Sequence, residues 1–153
     1  MKKTLKILAL ILFVGFVAIQ FIRPDFTNPP VNAAETIESS MQIPENVQKI
    51  LTISCKDCHS NETNYPWYSQ IQPIARFLKD HIDEGRNELN FSVWNTYEPR
   101  KKKRKLEEVC EQIEAKEMPL PSYLWIHWSA KLSENDIKNL CDWTKSESVK
   151  LGE

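Results

Sequence analysis

Residues 55–59 read Cys55-Lys56-Asp57-Cys58-His59: two cysteines three positions apart, with a histidine directly after the second. That pattern is what covalent haem attachment requires. Each thiol can add across one vinyl group of a porphyrin to form a thioether. The adjacent imidazole can then reach the iron as its proximal ligand. Helical spacing agrees, because Val47, Ile50, Leu51, Ser54, Cys55 and Cys58 follow the i, i+3, i+4, i+7 rule and share one face. Cys55 and His59 fall one turn apart, so both can face one flat ligand. Two other readings use the same residues. A redox dithiol is one, although no strand-helix-strand alternation surrounds the pair. A zinc site completed by Cys110 and Cys141 is the other.

An iron held by histidine on one side needs a second axial ligand or leaves a position open. Glu117-Met118-Pro119-Leu120-Pro121 offers a thioether at the head of a loop whose prolines forbid regular structure and stiffen the backbone. Methionine opposite histidine raises the reduction potential of a haem. The plain alternative is a gap-filling core methionine. His81 and His127 are the other candidates. His81 lies on the apolar stripe of a helix, where a hydrogen-bonded core histidine is the ordinary expectation.

Four helices must position these groups. Pro44 suits the first turn of the motif helix. Pro73 opens a second, with Ile74, Phe77, Leu78, His81 and Ile82 as its stripe and Gly85 near its end. A third begins near Thr96 with Pro99 in its first turn. Its inner face is Leu106, Val109, Cys110 and Ile113, and the basic run Arg100 to Lys105 reads as a solvated face. That run could also steer an acidic partner or touch anionic lipid. Ser133 caps the last helix with Asp136 three residues on, and Ile137, Leu140, Cys141 and Thr144 form its stripe. Cys110 and Cys141 are either inert buried thiols or a disulfide across two packed helices. A bridge closing about thirty residues would contribute roughly 3–4 kcal/mol.

The chain has 153 residues, a net charge of −1 and 27% charged residues. That is one domain with a modest core, and the near-neutral charge carries no nucleic-acid signal. Three glycines argue against a turn-rich β architecture. Five tryptophans suit either the walls of a macrocycle pocket or an ordinary core. The N-terminus places Lys2, Lys3 and Lys6 before an apolar run from Ile7 to Ile22, the pattern of a signal or signal anchor. The run is near the short end for a spanning helix, and Ala33-Ala34, a possible cleavage site, lies far from its end. The lysines would stay cytoplasmic and the remainder face outward, where disulfides persist. Thr27 to Ile43, with Asn28, Pro29, Pro30 and Asn32, reads as an extended tether.

Taken together, these segments resemble small class-I cytochrome c domains. More closely, the chain resembles the bacterial haem-binding domain family. The resemblance rests on Asp57 to Thr63, Tyr65-Pro66-Trp67-Tyr68, His81 to Arg86, Leu89 to Trp94, Met118-Pro119 with Tyr123 and His127, and Trp143. It spans about Val47 to Trp143, and Cys110 and Cys141 lie outside its pattern. It implies one covalent haem c and, usually, a membrane anchor, but no defined reaction.

The expectation is an all-α, cytochrome c-like domain around one covalent haem. It divides into a signal anchor or transmembrane segment at 1–23, a tether at 24–43 and the haem-binding domain at 44–153. Cys55 and Cys58 carry the haem, and His59 and Met118 ligate its iron. The expected function is an electron carrier rather than an enzyme, single-pass in a bacterial cell membrane with its domain on the periplasmic side. Its partners would be redox proteins and the membrane, not nucleic acid. The alternatives are a haem sensor or peroxidase-like protein with a labile sixth ligand and, more remotely, a structural zinc module.

Overall fold

A computed structural model describes residues 2–152 of the chain, and among them every regular element is helical. Helix α1 is Lys2–Ile19, α2 is Glu45–Ser54, α3 is Lys56–His59 and α4 is Ile74–Glu88. They are followed by α5, Pro99–Glu114, by α6, Pro121–Leu124, and by α7, Glu134–Lys150. Helix α7 starts on a full capping box, in which Ser133 Oγ accepts from the Asp136 amide and the Asp136 carboxylate accepts from the Ser133 amide. This satisfies amides that the first helical turn leaves without partners.

Apolar stripes close the core. Val47, Ile50 and Leu51 of α2 meet Leu106, Cys110 and Ile113 of α5 and Leu140 and Cys141 of α7, with Trp94 and Phe91 from the turn before α5. The α5–α7 pair is the most extensive helix contact. A Cys110–Cys141 disulfide crosses it. The two sulfurs are bonded to each other, so neither is a thiolate available to a zinc site with Cys55 and Cys58.

The motif helix is not continuous. Helix α2 ends at Ser54, Cys55 has φ −128°, and α3 restarts at Lys56. The broken turn still brings the His59 amide to the Cys55 carbonyl at 2.9 Å.

Residues 24–43 are laid along the domain. Asn28 Nδ2 donates to Thr63 O at 2.9 Å, Asn61 Nδ2 to Pro30 O at 3.1 Å, and Asn95 Nδ2 to Ala34 O at 2.9 Å. Ile37 is fully buried in the core. Polar residues that suit a linker also suit hydrogen bonding to a neighbour, and only the fold tells the two apart.

Helix α1 has no buried residue. Its C-terminal end is fastened to the loop before α4, where Gln20 and Gln72 exchange hydrogen bonds and Arg23 donates to Gln70. The sequence reading placed a membrane-crossing segment over Ile7 to Ile22. The apolar part of the helix stops at Ile19, which is about 20 Å of helix against a hydrocarbon core of about 30 Å. Lys2, Lys3 and Lys6 occupy its other end. No helix among the described residues is long and apolar enough to cross a membrane.

Candidate functional site

His59 is anchored from behind. Its Nδ1 lies 2.9 Å from Gly85 O and 3.0 Å from Leu89 O, both at the C-terminal end of α4. Two carbonyl acceptors require that Nδ1 carry the proton, which leaves Nε2 with a lone pair. This is the arrangement that orients a metal-binding imidazole. Burial also pulls the imidazole below its ordinary pKa and favours the neutral ring, against smaller opposing effects of the two carbonyls.

Gly85 makes the anchoring possible. A Cβ at this position would sit 2.9 Å from Cys58 O and 3.1 Å from Cys58 Cβ. Only a hydrogen in place of a side chain lets α4 approach the motif closely enough for its carbonyls to reach His59.

A cavity of about 420 Å³ opens beside the motif. Cys55, His59, Leu89, Phe91, Ile113 and Met118 line it, and Leu132 closes one side. A smaller adjoining cavity of about 40 Å³ is lined by Cys55, Cys58, His59, Met118, Pro119 and Tyr123. The structure therefore brings Cys55, Cys58, His59 and Met118 to one place. Mostly apolar walls with a few polar groups are usual for a ligand pocket of this size.

Met118 is held by the end of α5. Lys116 has φ +61°, its amide donates to Ile113 O at 3.2 Å, and the Glu117 amide reaches Gln112 O at 2.9 Å. These are the two bonds of a Schellman turn. The Met118 amide shares the Gln112 carbonyl at 3.3 Å. The sequence reading credited the prolines with fixing Met118. The helix cap does so too, and a lysine where glycine is usual concealed it.

The other two histidines are engaged elsewhere. His81 Nδ1 bonds to Phe77 O of its own helix at 2.8 Å. His127 Nε2 lies 2.5 Å from Tyr68 Oη, and its ring stacks on Tyr123 at 4.2 Å. Neither lines the cavity with His59. The tryptophans do not line it either. Trp94 and Trp143 are core residues, while Trp67, Trp125 and Trp128 are exposed.

The thiols of Cys55 and Cys58 are pushed up to about 12 and about 11, mainly by burial. A redox dithiol depends on a depressed thiol pKa, so the environment disfavours that reading.

Sequence reasoning missed the polar lattice around the motif. Asp57 Oδ2 accepts from Tyr123 Oη at 2.7 Å, and Asp57 Oδ1 accepts from the Asn64 amide at 3.2 Å. Arg86 donates to Ser60 O, Thr63 Oγ1 and Asn28 Oδ1, each at 2.8 Å. Asn90 Nδ2 donates to Asn61 Oδ1 at 2.8 Å, and the Asn61 amide donates to Ser92 Oγ at 2.9 Å. Asp57 to Thr63, His81 to Arg86 and Leu89 to Trp94 thus interlock. A signal was present, since three separated polar segments carried one family resemblance.

The domain is all-helical among the described residues, with a half-buried, back-anchored histidine on an apolar cavity. The Haem-binding domain family matches residues 14–146, and the chain belongs to that family. No curated protein and no solved structure matches the chain.

Proposed function

We propose that the chain holds one haem c through thioethers at Cys55 and Cys58, with His59 and Met118 as axial ligands, and works as an electron carrier. The observation that carries this reading is the placement of His59 and Met118 on one cavity with Cys55, while Nδ1 of His59 is already committed to two carbonyls. Those residues fit the group in donor type and in the apolarity of the walls. When bound, the haem iron supplies one-electron chemistry. The chain contributes a fixed imidazole, a thioether on a capped turn and exclusion of water by Leu89, Phe91, Ile113 and Leu132. With His59 and Met118 both holding the iron, no position at it would be free for a substrate oxygen, which favours transfer over turnover.

We also place the domain on the extracytoplasmic side of a bacterial membrane. The Cys110–Cys141 disulfide supports an oxidising compartment. An apolar helical surface is normally sheltered from water, and α1 buries none of its residues against the protein, which supports lipid as the surroundings of its apolar part. Redox proteins are the proposed partners.

Met118→Ala tests the reading. The parent protein is expected to be low-spin and to bind carbon monoxide slowly or not at all when reduced. The variant is expected to turn high-spin, to lose potential and to bind carbon monoxide readily. Rapid carbon monoxide binding by the parent at full haem occupancy would instead favour a sensor or peroxidase-like protein.

A further inference from the structure

Lys105 is the last residue of the basic run, and it does not share the solvated face of that run. It is 7% exposed and lines the same cavity as Cys55 and His59. Its Nζ lies 2.6 Å from Glu108 Oε2 and 3.3 Å from Glu88 Oε2, two residues that also line the cavity. An ammonium on an apolar wall is strongly unfavourable unless a partner compensates it. The two acids differ from the lysine in freedom. The Glu88 side chain is 72% exposed and that of Glu108 is 39% exposed, against 8% for Lys105. Either acid can turn to water, whereas the cation has to stay at the cavity wall.

The cavity is therefore polarised. Cys58 opens onto the smaller adjoining space with Tyr123, away from Lys105, Glu88 and Glu108, which line only the larger cavity. Haem is polarised in the same sense, with its two vinyl groups on one edge and its two propionates on the opposite edge. Resting on the haem reading above, thioethers at Cys55 and Cys58 would fix the vinyl edge and leave the propionate edge to the part of the cavity that Lys105 lines. We propose that Lys105 is the positioning residue for a haem propionate. The propionate displaces the long, exposed contact to Glu88, and Glu108 stays as the second partner of the ammonium. The pair seen with Glu88 then keeps the cation satisfied until the carboxylate of the ligand arrives.

The test compares two porphyrins on the full chain without cofactor: mesohaem, whose ethyl groups cannot form thioethers, and its dimethyl ester, which lacks the carboxylates. A charge-assisted hydrogen bond at this depth should make the diacid bind about tenfold tighter than the ester. Lys105→Gln should erase most of that ratio and Lys105→Arg should keep it. Arg100→Gln, at an exposed position of the same basic run, should leave it unchanged. Glu88→Gln, at an exposed position that folding tolerates, should raise the ratio by removing the competing acid. A purely structural Lys105 would weaken both porphyrins alike. Equal binding of diacid and ester by the parent chain overturns the proposal without any variant. So does a ratio that survives Lys105→Gln, or one that Glu88→Gln fails to raise. Binding of neither porphyrin contradicts the haem reading itself, a result distinct from equal binding of both.

Discussion

His59 and Met118 face the same cavity and are held in opposite ways. His59 is pinned across elements, by carbonyls of α4 that reach it only because Gly85 lets two backbones touch. Behind it, Arg86, Asn61, Asn90 and Ser92 join three segments of the chain. Met118 is held within one element, by the cap of α5 and the prolines that follow, and it packs only partly against the core. One side chain is fixed by tertiary structure and the other by a turn. In physical terms, the His59 side should yield only when the fold yields, while the Met118 side can be altered without unfolding the domain.

The strongest way to break that contrast is at Gly85. Gly85→Val forces a branched side chain against the backbone of Cys58, which cannot swing aside, and should cost about 3 kcal/mol. Chemical denaturation should show a lower midpoint, and haem incorporation in cells should fall with it. A variant as stable as the parent would mean that α4 does not need to touch the motif.

A middle-sized effect is expected where the two sides are joined. Tyr123 follows the Met118 loop, and its hydroxyl donates to Asp57, inside the motif. Tyr123→Phe removes a hydrogen bond to a charged acceptor at a half-buried site and should cost about 1–2 kcal/mol. Thermal unfolding gives the magnitude. The axial spectrum should hardly change, because neither residue is one of the proposed iron ligands.

The smallest effect sharpens the distal side. Lys116→Gly relieves a left-handed backbone that glycine adopts freely. After the entropy glycine loses on folding, the variant should gain about 0.5–1 kcal/mol. A loss of stability there would mean that the Lys116 side chain, not its backbone, holds the turn.

The sequence made the local features legible. The stripes of α5 and α7, the Ser133–Asp136 cap and the CxxCH motif all obey spacings of a few residues, and each has its place in the fold. The stripe read on α4 does not: Ile74 and Phe77 are exposed, and the buried residues of that helix are Ala75 and Ile82. What escaped was long-range. Residues 24–43 look like a linker because Asn28 and Pro30 are polar or stiff, yet their partners Thr63 and Asn61 lie some thirty positions away. Lys105 looks like any other lysine of a basic run, because its long-range partner Glu88 comes from a different helix. Gly85 reads as a helix end, because only the approach of Cys58 reveals why it carries no side chain. The break at Cys55 is likewise invisible to a periodicity that runs through it.

The central claim is that Cys55 and Cys58 hold haem covalently. Mass spectrometry of the intact, denatured protein from cells that export it tests this most directly. The expected result is a single species of chain plus one haem that survives acid-acetone extraction, and its complete loss in Cys55→Ala/Cys58→Ala. A parent protein that runs at the mass of the bare chain, with all of its haem in the acid-acetone extract, would contradict it.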